Sequence, residues 1–177
     1  MTKNQTANIL YIVCGRPGVG KTTYAAKLAG KQGAVVLDID TVTEPMVRAG
    51  LKLANLDSDD RDSQKFKSAF RQPIHDALFA TAAENLAINP VVIVAPFSRE
   101  IGQADWLDWL RDTLSPETQI HYLTCDKAQI RERLSHRSNP RDQAKIEDWE
   151  SYSANYTDSV PVFEHILVDT TNQNKSH

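Results

Sequence analysis

The run Gly15-Arg16-Pro17-Gly18-Val19-Gly20-Lys21-Thr22, with Thr23 after it, has the residue types and spacing to bind a polyphosphate. Its glycines let the backbone curl so that successive N–H groups face phosphate oxygens, and a following helix adds its N-terminal dipole. A lysine in the seventh place reaches the β and γ phosphates of a nucleotide, and the next hydroxyl suits the Mg²⁺ that accompanies them. A second group follows in Leu37-Asp38-Ile39-Asp40. Two residues apart in an extended strand, Asp38 and Asp40 would share a face, placing an acid pair for a metal ion and a hydroxyl. A third group is basic: Arg131, Arg133, Arg137 and Arg141 against the single acid Glu132, a local charge of +3 over 131–141. Arg133 and Arg137 are four apart and share a helix face, and guanidinium groups bridge phosphate oxygens bidentately.

These groups need a scaffold that gathers them at one edge. Five short, β-branched, mostly unalternated apolar runs supply it: Ile9 to Cys14, Ala34 to Leu37, Val91 to Ala95, Ile120 to Cys125 and Ile166 to Val168. Such runs suit strands buried on both faces of a parallel sheet covered by helices, an α/β layered fold. Helical segments are expected over Lys21 to Ala29, Ser63 to Ala87, Ala104 to Leu114, Lys127 to Leu134 and Gln143 to Tyr156. Asn89-Pro90, Ser115-Pro116 and Asn139-Pro140 mark boundaries, because the residue before a proline disfavours helix. The phosphate-loop motif therefore sits between a strand and a helix, the context that its mechanism requires.

Composition bounds the function. The 177 residues, 41% hydrophobic and 24% charged, fit one folded unit over 1–177 rather than a disordered or fibrous chain. No apolar stretch approaches a membrane span and the first residues are polar, so a cytoplasmic protein without membrane anchoring is expected. Two cysteines, Cys14 and Cys125, are too few for a disulfide scaffold. A net charge of −3 argues against long nucleic acids as partners.

The motif alone serves motors, switches and kinases alike. No guanine-reading Asn-Lys-x-Asp string occurs, and the third strand ends Ala95-Pro96-Phe97 without a carboxylate. The chain resembles the phosphate-loop small-molecule kinases, among them shikimate and gluconate kinases, chloramphenicol phosphotransferase, zeta toxins and the kinase domain of polynucleotide kinase. The shared features are the G-x-P-G-x-G-K-[ST] loop, the Asp-x-Asp after the second strand and the arginine run. The resemblance implies a three-layer P-loop NTPase fold with a five-stranded parallel sheet in the order 2-3-1-4-5. It further implies an acceptor-binding insertion near 41–71 and a lid near 131–145.

It also implies ATP and Mg²⁺ as cofactors and a small-molecule hydroxyl as acceptor. Thr22 and Asp38 would hold the metal, Asp40 would take the acceptor proton, Arg133 would lie at the adenine, and Arg137 and Arg141 would close on the transferring phosphate. The loop Pro96-Phe97-Ser98-Arg99-Glu100 would face the acceptor, with Phe97 packing on it and Arg99 reading an anionic group. Arg48, Arg61 and Arg71 are further contacts in the insertion, whereas Asp57, Asp59, Asp60 and Asp62 read as a solvated loop. Trp106, Leu107, Trp109 and Leu110 read as core or interface. Two other readings stay open: a nucleotide or polynucleotide 5'-hydroxyl kinase, and a nucleotide-dependent binding or regulatory module with little turnover.

Overall fold

A computed structural model describes residues 7–61, 63–137, 140–154 and 160–172. Five parallel strands, β1 (Leu10–Gly15), β2 (Val35–Asp38), β3 (Val91–Val94), β4 (Thr118–Thr124) and β5 (Ile166–Asp169), form one sheet in the order β2-β3-β1-β4-β5. This is the expected P-loop NTPase topology. Every residue of β1 and β3 is buried, which explains why their sequences run apolar without alternation.

The two faces of β1 feed two cores. Leu10, Ile12 and Cys14 pack beneath α3 (Gln64–Leu86) and α4 (Trp106–Thr113), against Leu78, Ala82, Leu86, Trp106, Leu107 and Leu110. Tyr11 and Val13 face α1 (Lys21–Gln32) and α5 (Lys127–Arg137), against Ala25, Ala29, Ile130 and Leu134. Helices thus cover both faces of the central strands, and the chemistry-bearing residues gather at the C-terminal edge of the sheet.

The stretch near 41–71 holds most of α2 (Ile39–Leu53), a turn region and the start of α3. Here Val47, Leu51 and Phe66 form a small core of their own with Phe70 and Ile74. Asp38 starts α2: its carboxylate accepts the Asp40 N–H at 3.0 Å, a side-chain N-cap. Asp40 is therefore a first-turn helical residue and not a strand neighbour of Asp38, a correction to the strand-face expectation. On the other side of the sheet, α5 is followed by α6 (Pro140–Glu147), opened by a proline as first helical turns allow, and by α7 (Trp149–Ala154). Among the described residues no helix is long and apolar enough to cross a membrane.

Candidate active site

The phosphate loop is shaped by where side chains are excluded. Gly15 lies at φ +133°, and a Cβ there would come within 2.5 Å of the Leu123 carbonyl oxygen, so β1 can approach β4 only with glycine in this place. Gly18, at φ +82°, touches α5: its Cβ would lie 2.9 Å from Ile130 Cγ2. Val19, 1% exposed, anchors the loop in the core, and its carbonyl accepts from Thr170 Oγ1 at 2.7 Å. Lys21 opens α1 and folds back over the loop, its Nζ donating to the Gly15 and Arg16 carbonyls at 2.9 Å each. Burial pushes the Lys21 pKa down to about 8, and Arg137 adds to the fall while Asp40 and Asp38 oppose it. Burial holds the nearby Cys14 thiol up at about 12, so it is neutral wherever Lys21 titrates, and the two carboxylates are the effective counter-charges.

Beside the lysine, Thr22 Oγ1 donates to Asp38 Oδ2 at 3.0 Å. A hydroxyl and a carboxylate in contact are hard oxygen donors of the kind Mg²⁺ takes, and that ion usually adds only one or two carboxylates to substrate phosphates and water. The residues therefore fit the metal. They also fit a nucleotide on the other side of the loop. There Arg133 reaches from α5 to donate to the Thr170 carbonyl oxygen at 2.7 Å, and its Nε is buried without a hydrogen-bond partner among the described residues.

These groups line one cleft of about 590 Å³, running along the sheet edge from Arg133 and Thr170, past Lys21 and Thr22, to Asp38, Asp40, Asp59 and Arg61. Pro17, Gly18, Gly20 and Thr23 also border it. Over it lie Arg137 from α5 and Asp142 and Lys145 from α6. Asp142 is 2% exposed; its Oδ1 accepts from Lys145 Nζ at 2.8 Å and its Oδ2 is 3.5 Å from Arg137 Nη2. Asp142 and Lys145 are cleft residues that the sequence reading did not single out. Asp59, expected in a solvated loop, keeps 38% of its side chain exposed but also lines the cleft and pairs with Arg48 at 3.0 Å.

Other expected residues lie elsewhere. Phe97 does not face the cleft: it is 2% exposed, stacked on Phe79 and tilted against Trp106, with centroids 6.0 and 4.8 Å away. Its φ of +47° turns the chain there so that the ring enters the core. Arg99 borders a different hollow, with Arg71, His75, Glu100 and Trp109. Neither is placed to meet an acceptor at Asp40. Arg16 lies near Tyr152 of α7, whose pKa burial raises and Arg16 opposes. Arg131 sits over the Trp149 ring, 5.9 Å from its centroid. The Arg141 side chain and Asp62 lie outside the described residues.

Fold and site together define a phosphate-loop nucleotide-binding domain of kinase-like architecture. The chain belongs to the AAA domain family AAA_33, whose model matches residues 10–158. Several solved structures share the fold. A "putative kinase" from Chloroflexus aurantiacus J-10-fl superposes with a TM-score of 0.66 at 18% identity, covering 98% of this chain and 93% of that one. A gluconokinase from Sinorhizobium meliloti 1021 gives 0.54 at 16% identity, covering 93% and 82%. A shikimate kinase from Bacteroides thetaiotaomicron gives 0.54 at 16% identity, covering 93% and 88%. No match to the sequence is found among curated proteins.

Proposed function

We propose that the protein is a cytoplasmic, Mg²⁺-dependent ATP kinase that transfers the γ-phosphoryl group to a hydroxyl of a small-molecule acceptor. The observation that carries this reading is the meeting, in one cleft, of Lys21, the Thr22–Asp38 oxygen pair, Asp40 and Arg137. A module that only binds nucleotide needs Lys21 and the Thr22–Asp38 pair but has no use for the added carboxylate of Asp40 and guanidinium of Arg137 in the same cleft.

In this account the loop N–H groups and Lys21 hold the β and γ phosphates, and the adenine lies toward Arg133 and Thr170. Mg²⁺, when bound with the nucleotide, neutralises charge on the phosphate oxygens, with Thr22 and Asp38 as its protein donors. Asp40 orients the acceptor hydroxyl. As the acceptor oxygen bonds to the γ phosphorus, the bond to the ADP oxygen breaks, and the hydroxyl proton passes late to the Asp40 carboxylate. Arg137, with Arg141 as a further lid candidate, stabilises the charge on the moving phosphoryl group. The test is transfer of label from γ-³²P-ATP across sugars, polyols, antibiotics, nucleosides and oligonucleotide ends. Label in a hydroxyl compound, dependent on Mg²⁺ and lost in Lys21→Ala, supports the reading; ATP binding with label released only as inorganic phosphate contradicts it.

A further inference from the structure

Asp142, 2% exposed, is the most enclosed ionisable residue described along the cleft, and the transfer chemistry does not use it. Enclosing a carboxylate is costly unless opposite charge and hydrogen bonds match it. Lys145, one turn further along α6, matches Oδ1 at 2.8 Å. Oδ2 is buried and accepts no hydrogen bond among the described residues; the group it meets is the Arg137 guanidinium, with Nη2 at 3.5 Å. One carboxylate thus joins the last residue of α5 to the first turn of α6.

The two contacts differ in kind. The Lys145 bond is short, directed and mostly out of water, whereas the Arg137 side chain is 52% exposed and is held by charge without a hydrogen bond. A contact of the second kind keeps a guanidinium near one place yet breaks easily, because much of its charge is already hydrated. The place itself bears on the chemistry. Arg137 borders the same cleft as Lys21, and its charge adds to burial in lowering the Lys21 pKa, so it is felt at the phosphate loop. Resting on the kinase reading above, we propose that Asp142 is a positioning residue, which keeps Arg137 over the phosphate end of the cleft while the site is empty and yields it to the phosphates once nucleotide is bound. Asp142 acts on the transfer through Arg137, and Lys145 stays behind to match its carboxylate.

The first readout needs no acceptor. In nucleotide-free protein labelled with ¹⁵N-arginine, the Arg137 Nε–H signal, identified by its loss in Arg137→Lys, reports how firmly the guanidinium is held. Asp142→Asn should lower its order parameter by at least about 0.2 and leave the backbone values of α5 unchanged. Unchanged Arg137 order overturns the proposal, and so does an equal loss along the α5 backbone, which makes Asp142 a structural residue only. The second readout is a double-mutant cycle in single-turnover transfer. Asp142→Asn should slow transfer about tenfold with ATP affinity within about threefold, and should slow it by less than about twofold when added to Arg137→Ala. Losses that multiply in the double variant overturn the proposal. If Lys145 without its carboxylate prevents folding, Lys145→Gln serves as the parent for both comparisons. Absence of transfer by the wild type to every compound counts against the kinase reading, and the Arg137 order then decides alone whether Asp142 holds that residue.

Discussion

Thr22 and Asp38, sixteen residues apart, are joined by a 3.0 Å hydrogen bond that ties the start of α1 to the end of β2. The same Asp38 carboxylate caps α2 through the Asp40 N–H, so one side chain fixes the hydroxyl at the phosphate loop and the helix turn that carries Asp40. The geometry of the cleft and the local fold therefore share a residue, and two substitutions can separate its roles.

Asn is as good an N-cap as Asp but carries no charge. Asp38→Asn should keep thermal stability near that of the wild type while losing most of the Mg²⁺-dependent gain in ATP affinity. Asp38→Ala should lose both, with about 1 kcal/mol of stability gone with the cap. Calorimetric ATP titrations with and without Mg²⁺, beside thermal melts of both variants, check this. An Asp38→Asn protein with full Mg²⁺ dependence removes Asp38 from the metal corner.

The part-buried Lys21 ammonium should make nucleotide binding pH-dependent. Its pKa is pushed down to about 8 from an ordinary 10.5, so between these values the unfolded chain holds the proton and the free folded protein does not. Stability of the nucleotide-free protein contributed by this group therefore rises with pH through that window. ATP affinity moves the other way, because phosphates need the charged form: it should fall above pH 8, approaching about tenfold per pH unit, with a proton taken up on binding. Titrations in buffers of different ionisation enthalpy read that proton. Equal affinity at pH 7 and pH 9.5 with no proton uptake contradicts the assignment.

The strands and the phosphate loop were legible because a strand covered on both faces must be apolar throughout, as β1 and β3 are, and because the loop's glycines and lysine have few substitutes, whereas the sheet order came only from the resemblance to the phosphate-loop kinases. Asp40 was read as an acid at the right edge but on the wrong element, since nothing in Leu37-Asp38-Ile39-Asp40 says that Asp38 will cap a helix instead of continuing the strand. Pro45, the seventh residue of α2, further disguised that helix. Asp59 and Arg61 face the cleft only because Arg48 and Glu44 hold them there, and pairings across a turn leave no periodic trace. Asp142 and Lys145, three apart on α6, have the pattern of an ordinary solvated charge pair. Phe97 follows a strand and a proline as an acceptor-loop residue would, and only its positive φ directs it inward.

Phe97 gives the third prediction. As a core residue packed on Phe79 and Trp106, its replacement by alanine should cost about 3 to 5 kcal/mol of stability, read from urea unfolding. In the folded fraction the KM for the acceptor should stay within about twofold. A selective rise in that KM with unchanged stability would return Phe97 to the acceptor site.

Arg137 is half exposed, and Lys145 still holds the buried Asp142 carboxylate at 2.8 Å when the 3.5 Å pair with Arg137 is removed. Arg137→Ala should therefore leave the melting temperature unchanged and lower kcat about 100-fold or more, with ATP affinity altered far less. Loss confined to ATP affinity makes it a ground-state binding residue.

The most direct test of the central claim sets Asp40→Asn beside the wild type in single-turnover transfer from γ-³²P-ATP to an acceptor hydroxyl, with ATP affinity measured on the same samples. The kinase account predicts ATP affinity within about threefold of the wild type and transfer slowed by about 100-fold or more. Transfer at the wild-type rate in Asp40→Asn, or no transfer by the wild-type protein to any hydroxyl while ATP is bound, contradicts it.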